Sequence, residues 1–297
     1  MLLLSIAASA QHTIVTTESE FGKFTIFEDS KSPKVTLTSA DGKTMEFDGE
    51  PGYTYSRLDD CLMQVKYNSF LAFSANPEKG IEDEMLLQIG TSISKYYSCL
   101  LHSFDSTMIA EKSPQIYSLL AHANPVFLHD VIYTDLITGE TTFVCRFATE
   151  DFAYTDNCPE IKWIISEDTV KICGYNCRRA VGQFRGRTYD VWFTEDFPVS
   201  AGPWKLRGLP GIILSAKDTE GLCRFEAVSV EEGKGVIERP DYLYFKINRE
   251  KYLSMLKQYF KSPMKFTSMH MSRAPGITVP PVPGEKAFPD VTIRELE

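Results

Sequence analysis

The sequence predicts a mainly β protein: a strongly curved antiparallel sheet or incomplete barrel with one or two covering helices. Three observations carry this. Runs of β-branched and aromatic residues alternate with polar ones at a period of two along most of the chain. Short polar or glycine-bearing segments separate consecutive runs, which joins them as hairpins and makes the sheet antiparallel. About a dozen strands result, and a sheet of that length must curl or split to bury one face.

Taken in order, residues 12–47 read as strands, with a hairpin in which 34–38 and 43–47 flank Ala40-Asp41-Gly42. Alternation continues from Tyr53 to Phe73, and Asn76-Pro77-Glu78-Lys79-Gly80 reads as a loop. Strand segments 85–89 and 93–97 are interrupted by Gly90, which suits a bulge or bend. Ser113-Pro114 places an N-cap before a helix-starting proline, and Ile116, Leu119, Leu120 and Ala123 give a short apolar face that ends at Asn124-Pro125. Residues 131–137 and 141–147 form a hairpin through Thr138-Gly139-Glu140, and 161–165 with 169–172 another around Ser166-Glu167-Asp168. A strand at 212–217 returns through 218–221 to 222–228. Asn248 caps a second helix in which Tyr252, Leu253, Leu256, Tyr259 and Phe260 recur at three and four residues, with Lys257 and Lys261 near its end and Pro263 stopping it.

The N-terminal run Leu2–Ala8 followed by Ala8-Ser9-Ala10 suits signal-peptidase cleavage before Gln11, although a basic segment ahead of it is missing. The expected organisation is therefore a signal remnant over 1–10, a single β-rich domain over 11–273, and a Pro-rich tail over 274–297 that packs on the domain or extends from it. No stretch reaches the roughly 20 apolar residues of a spanning helix. At 43% hydrophobic and 24% charged, the chain has enough apolar content for a sizeable core. Seven cysteines at 61, 99, 145, 158, 173, 177 and 223 favour disulfides in an exported protein and leave one odd thiol. Cys173 and Cys177 can join only across a tight turn, since residues four apart on one extended strand lie about 13 Å from each other. Net charge is −9, yet no acid occurs between 169 and 189, where Lys171, Arg178, Arg179, Arg185 and Arg187 form a cationic strip. Such a strip on an acidic protein suits a carboxylate-rich partner or anionic headgroups or faces water as part of the sheet, and the acidic total disfavours nucleic acid.

The chain is organised around residues 188–217, and above all GPWKLRGLPG from Gly202 to Gly211. A strand enters through 188–194 and another leaves through 212–214. Leu209-Pro210-Gly211-Ile212 favours a type II turn, with proline at the second position and a positive φ at Gly211. Between the strands lies an ordered loop of roughly 15 residues, a length that points to function. Lys205 and Arg207, two apart, share a side if the backbone there is extended, and Trp204 adds an apolar face with an N–H donor. The alternative is that Trp204 with Leu206 or Leu209 plugs a sheet corner.

At these residues the chain resembles the GLPGLI family, exported proteins of Gram-negative bacteria named for a motif that here reads GLPGII from Gly208 to Ile213. The resemblance extends to WFTEDFP (192–198), ICGYNCRRAVGQFRGR (172–187) and EMLLQIGTSISKYYS (84–98). Cys173 departs from the family pattern. The resemblance implies an exported β-rich domain, near outer-membrane transport proteins, and supplies no catalytic residue and no cofactor.

No Gly-x-Ser-x-Gly elbow is present, and the histidines at 12, 102, 122, 129 and 270 make no i, i+4 metal pair. Met264, Met269, His270 and Met271 form a soft-ligand cluster able to hold Cu(I) only in a loop, and they otherwise read as core or edge residues. The leading expectation is a non-enzymatic periplasmic binding or accessory module with an outer-membrane protein partner, binding through Trp204, Lys205, Arg207, Arg185, Arg187 and Trp192. An envelope hydrolase using Glu195 or Asp196, or a carrier of an apolar ligand within the curved sheet, are the alternatives.

Overall fold

A computed structural model describes residues 55–72, 76–99, 131–145, 151–241, 244–259, 261 and 266 with their side chains, and by backbone alone 73, 146, 147, 150, 260 and five strands between 5 and 48. The helix expected at 113–123, the Pro-rich tail, the methionine cluster and the processing site at Gln11 lie outside the described residues. The chain divides into two compact units, Met1–Thr54 with His102–Pro125, and Tyr55–Leu101 with Val126–Glu297; the sequence reading placed residues 11–273 in one domain.

The first unit holds an antiparallel meander of β1 (Ser5–Ser9), β2 (His12–Ser19), β3 (Gly22–Asp29), β4 (Ser32–Thr38) and β5 (Thr44–Asp48) in that spatial order. The expected β4–β5 hairpin sets Val35 opposite Phe47 and Leu37 opposite Met45.

The second unit is built on β7 (Met63–Phe73), β8 (Asn76–Ile89), β9 (Ile93–Ser98), β10 (Val131–Asp135), β11 (Thr141–Phe147), β12 (Glu150–Asp156), β13 (Ile164–Ile172), β14 (Tyr175–Phe184), β15 (Arg187–Thr194), β16 (Ile212–Asp218), β17 (Cys223–Glu232) and β19 (Phe245–Lys246). They form a 12-stranded sheet in the order β13-β14-β15-β16-β17-β7-β8-β9-β10-β11-β12-β19, antiparallel except where β19 runs parallel to β12. A separate ribbon pairs β6 (Tyr55–Asp60) with β18 (Val236–Pro240). The fold is thus mainly β, as predicted, and its large sheet does not close.

The sheet curls, as distances demand. Ala201 bridges Ile212 on β16, while four residues later Lys205 bonds Tyr154 on β12. Four residues span at most about 14 Å, whereas seven strand spacings across a flat sheet are roughly 34 Å. Curvature brings the two stretches together, and one apolar cluster runs through β7–β9, β10–β12 and β14–β17, with Tyr67, Tyr96, Phe143, Tyr189, Phe193 and Phe225 at most 1% exposed.

The one helix of the described residues, α1 (Arg249–Lys261), begins as expected: the Asn248 side chain accepts from the Lys251 N–H at 2.8 Å. Its buried face is Tyr252, Met255 and Tyr259, with Leu253 and Leu256 half-buried, and Tyr252 lies 4.8 Å from the Phe143 ring and 5.2 Å from that of Tyr154. Met255 takes a place the sequence pattern gave to its neighbours.

Several boundaries differ from expectation. Asn76 to Gly80 is not a loop: it opens the long strand β8. Gly90 lies at the bend between β8 and β9, one of the two placements expected for it, and the Asp59 carboxylate gathers that turn. Its oxygens accept from the backbone N–H groups of Ser92 (2.7 Å) and Ile93 (3.1 Å) and from the Thr91 hydroxyl (2.8 Å). Burial opposes its charge, but these donors prevail and hold its carboxyl well below the ordinary range. The alternation from Tyr53 to Phe73 breaks at Cys61-Leu62, where the chain passes from the ribbon to the sheet. Residues 161–172 form no hairpin: β13 is one strand with a bulge between Ile165 and Thr169. The hairpin instead joins β13 to β14 through Cys173-Gly174, with φ of +51° and +88°, and Arg185-Gly186 does the same for β14 and β15 at +48° and +79°. Both are two-residue turns of the I′ kind.

None of the seven cysteines is joined in a disulfide, contrary to the disulfide expectation. Cys61, Cys145, Cys177 and Cys223 are buried and serve as small apolar side chains. The tight turn beside Cys173 does not join it to Cys177: Cys173 is exposed, with its Sγ 3.3 Å from the Ala227 carbonyl.

Candidate functional site

The connection between β15 and β16 is ordered by hydrogen bonds at each step. Val199 N–H donates to Phe197 C=O, Ala201 N–H to Val199 C=O, and Ile213 N–H to Ala201 C=O. Leu206 N–H then closes a turn on Pro203 C=O at 3.1 Å, with Trp204 at φ +55° inside it. The type II turn expected at Pro210-Gly211 does not form, since Gly211 lacks a positive φ; the left-handed glycine is Gly208, at +100°. Gly211 is required for another reason: a Cβ there would run into the Thr194 carbonyl.

This loop closes the sheet's seam and turns its tryptophan and lysine inward. Trp204 is 4% exposed and packs edge-on to Phe184, with ring centroids 5.6 Å apart. The Lys205 side chain is 0% exposed. Its Nζ donates to Tyr154 Oη at 2.9 Å and Asp156 Oδ2 at 3.0 Å, and lies 5.0 Å from the ring centroids of both Phe143 and Tyr154. The other Asp156 oxygen accepts from Arg185 at 2.6 Å. Burial opposes the Asp156 charge, but Lys205 and then Arg185 outweigh it and hold the carboxyl below its ordinary value. Nearby, burial pushes the Cys158 thiol up.

Of the six predicted binding residues, then, Trp204, Lys205 and Arg187 are buried. The expectation of a surface built on these three is corrected: the aromatic and the cations are worth more to the core as plug and counter-ions than as a display. Arg187 bonds the buried Asp218 at 2.8 Å and Glu220 at 3.2 Å. Arg185 is tied to Asp156. Trp192 is half-buried on the other face of β15 from the inward Val191. Lys205 and Arg207 do not act together, because Lys205 points into the core while the Arg207 guanidinium lies against Gly139.

The cationic strip is likewise matched by acids distant in sequence. Arg179 forms a two-pronged pair with Asp190 at 2.8 and 2.9 Å and reaches Asp168 at 3.4 Å, while Arg178 bonds Glu195 at 3.1 Å. Glu195 is therefore engaged at the surface, where its side chain is 50% exposed. Among the described residues no three His, Cys, Asp or Glu side chains gather to hold a metal ion, and no helix is long and apolar enough to cross a membrane.

Sequence reasoning passed over Tyr154 and Asp156. The signal was present: Phe152, Tyr154 and Asp156 share one strand face, so an acid in phase with two core aromatics calls for a buried cation.

Fold and site together define an open β-sheet protein whose curl is tied by a loop-borne lysine to a buried acid. Residues 148–254 match the family described as N-glycanase peptide, N-terminal domain. Among solved structures the chain is similar to PNGF-II in the P21 space group (18% identity) and in the C2 space group (19%), each with a TM-score of 0.46 and covering 65% of this chain and 32% of that one. The chain thus spans about a third of the length of those structures. No curated protein matches it.

Proposed function

We propose that the chain is an exported periplasmic binding or accessory protein that works beside outer-membrane transport components. The observation that carries this is the state of the central loop: rigid, seated in the seam, and leaving Arg207 partly exposed with no carboxylate partner among the described residues. Every arginine of the 178–187 strip has such a partner. The family resemblance carried by GLPGII supports the compartment. The test is crosslinking of a tagged chain in the envelope of a Gram-negative host, followed by recovery from the membrane fraction. A defined envelope partner is the expected result; a chain that stays in the cytoplasm, or comes away alone, refutes the reading.

A second reading is favoured by the match over residues 148–254: the chain assists or performs hydrolysis at glycans in the envelope, with Glu195 and Asp196 as its acids. The Arg178–Glu195 pair weighs against it, since the carboxylate is already engaged by a guanidinium at the surface. Incubation with an N-glycosylated protein decides it, with glycan release that disappears in Glu195→Gln required.

A further inference from the structure

The Lys205 ammonium and the Asp156 carboxylate meet at 3.0 Å with side chains 0% and 7% exposed. Lys66 and Glu84 make a pair of similar length, 3.1 Å, but with 38% and 48% of their side chains open to water. The difference is chemical as well as energetic. In water both members of such a pair stay charged, and an ammonium is no nucleophile. Around Lys205 the rings of Phe143 and Tyr154, each centred 5.0 Å from Nζ, and of Trp204 at 5.8 Å keep water away. Burial there works against both charges, and one proton moved from Nζ to Oδ2 along their hydrogen bond leaves a neutral amine against a neutral carboxyl. The fold holds the two in contact, so the encounter that an amine and an acid lack in solution is already made. Two further side chains touch the reacting groups. Arg185 donates to Asp156 Oδ1 at 2.6 Å, the oxygen on which negative charge gathers when the carboxyl carbon becomes tetrahedral. Tyr154 Oη, 2.9 Å from Nζ, accepts from it and so is placed to take up its second proton.

We propose that Lys205 and Asp156 condense after folding into an intramolecular amide bond. Nζ attacks Asp156 Cγ, the N–C bond forms, and the Cγ–Oδ2 bond breaks. Oδ2 leaves as water with the two protons that the ammonium gives up. The ammonium and carboxylate together hold every atom of the amide and the water, so no oxidant, cofactor or further reactant enters. Arg185 plays two parts: it steadies the tetrahedral oxyanion, and it favours the carboxylate of the resting pair, which makes the step slow. The bond closes residues 156–205 into a covalent ring and ties β12 to the loop that follows β15, across the seam of the sheet. It supplies the cross-link that the cysteines, none of which is joined, do not.

The experiment is intact-mass measurement of the purified full chain after several days in neutral buffer, followed by tryptic mapping under reducing conditions. The expected chain is lighter by one water, and trypsin fails to cut after Lys205, so that segment 147–162 emerges joined to segment 188–207. Succinimide formation at Asp41-Gly42 or Asp48-Gly49 also sheds one water, so the joined segments decide and not the mass alone. Lys205→Met and Asp156→Ala should lack the joined species. Asp156→Asn should give the same joined segments by losing ammonia in place of water. A folded wild-type chain that trypsin cuts fully after Lys205, with the two segments separate, overturns the proposal whatever the variants do. Joined segments that persist in Lys205→Met put the link at other residues and overturn it as well. Neither result bears on the binding role, which is read from the envelope partner.

Discussion

Arg178 and Arg179 on one side, and Arg187 and Lys205 on the other, make ion pairs of similar length in opposite surroundings. The first two leave 39% of their side chains exposed, and the second two 4% and 0%. In water an ion pair gives little, because solvent already stabilises both charges. In the core the same pair is a condition of folding: neither charge tolerates the loss of the other. A cation's value here depends on where the curl of the sheet delivers it, and not on the local density of positive charge.

The widest separation between the two regions comes from breaking the buried one. Asp156→Ala strands the Lys205 ammonium among Phe143, Tyr154 and Trp204, and a loss of about 3–5 kcal/mol in denaturant unfolding is expected. Adding Lys205→Met to that variant should restore part of the loss. A double variant no more stable than the single one would mean that the lysine is not held by charge.

Next comes the loop's backbone. Gly211→Ala drives a methyl group into the Thr194 carbonyl and should cost about 1–3 kcal/mol, again read from the unfolding midpoint. Retention of wild-type stability would place the loop's anchorage elsewhere.

A third contrast uses acid. The folded-state carboxyls of Asp59 and Asp156 lie below their ordinary value, so the unfolded chain takes up protons first. Their stabilisation is complete above the ordinary carboxylate value, about pH 3.9, and is lost as pH falls through it toward the folded values. Asp59→Asn should therefore flatten the acid side of a stability-versus-pH curve and cost about 1 kcal/mol at neutral pH, comparable to losing a helix cap. An unchanged acid limb would contradict the assignment.

The smallest effect belongs to the surface. Arg178→Ala should lower stability by less than about 1 kcal/mol, and a larger loss would dissolve the distinction between the two regions.

Much of the fold was legible in the chain. Alternation located most strands of the large sheet but passed over β12, β14 and β19, and Asn248 with the Tyr252 face located α1, because period and capping are local properties. Turns with unusual residues were not legible: Cys173 and Arg185 occupy left-handed positions where Asn or Gly is the common signal. The candidate site was half legible. Pro210-Gly211 and the length of the connection announced an ordered loop, but the direction its side chains face is decided by β11 and β12, which reach it only through the curl of the sheet. Nor could the strip from 171 to 187 reveal its own neutralisation, since Asp156, Asp190, Glu195 and Asp218 all lie outside that interval.

The tie between Lys205 and Asp156 also bears on where the protein can be cut. The stretch 148–254 carries both ends of that bond, but Phe143, one of the rings around the ammonium, lies upstream on β11. An expression fragment trimmed to that stretch would leave one wall of the lysine's chamber open to water. The shortest excisable piece that keeps the chamber whole starts no later than Thr141.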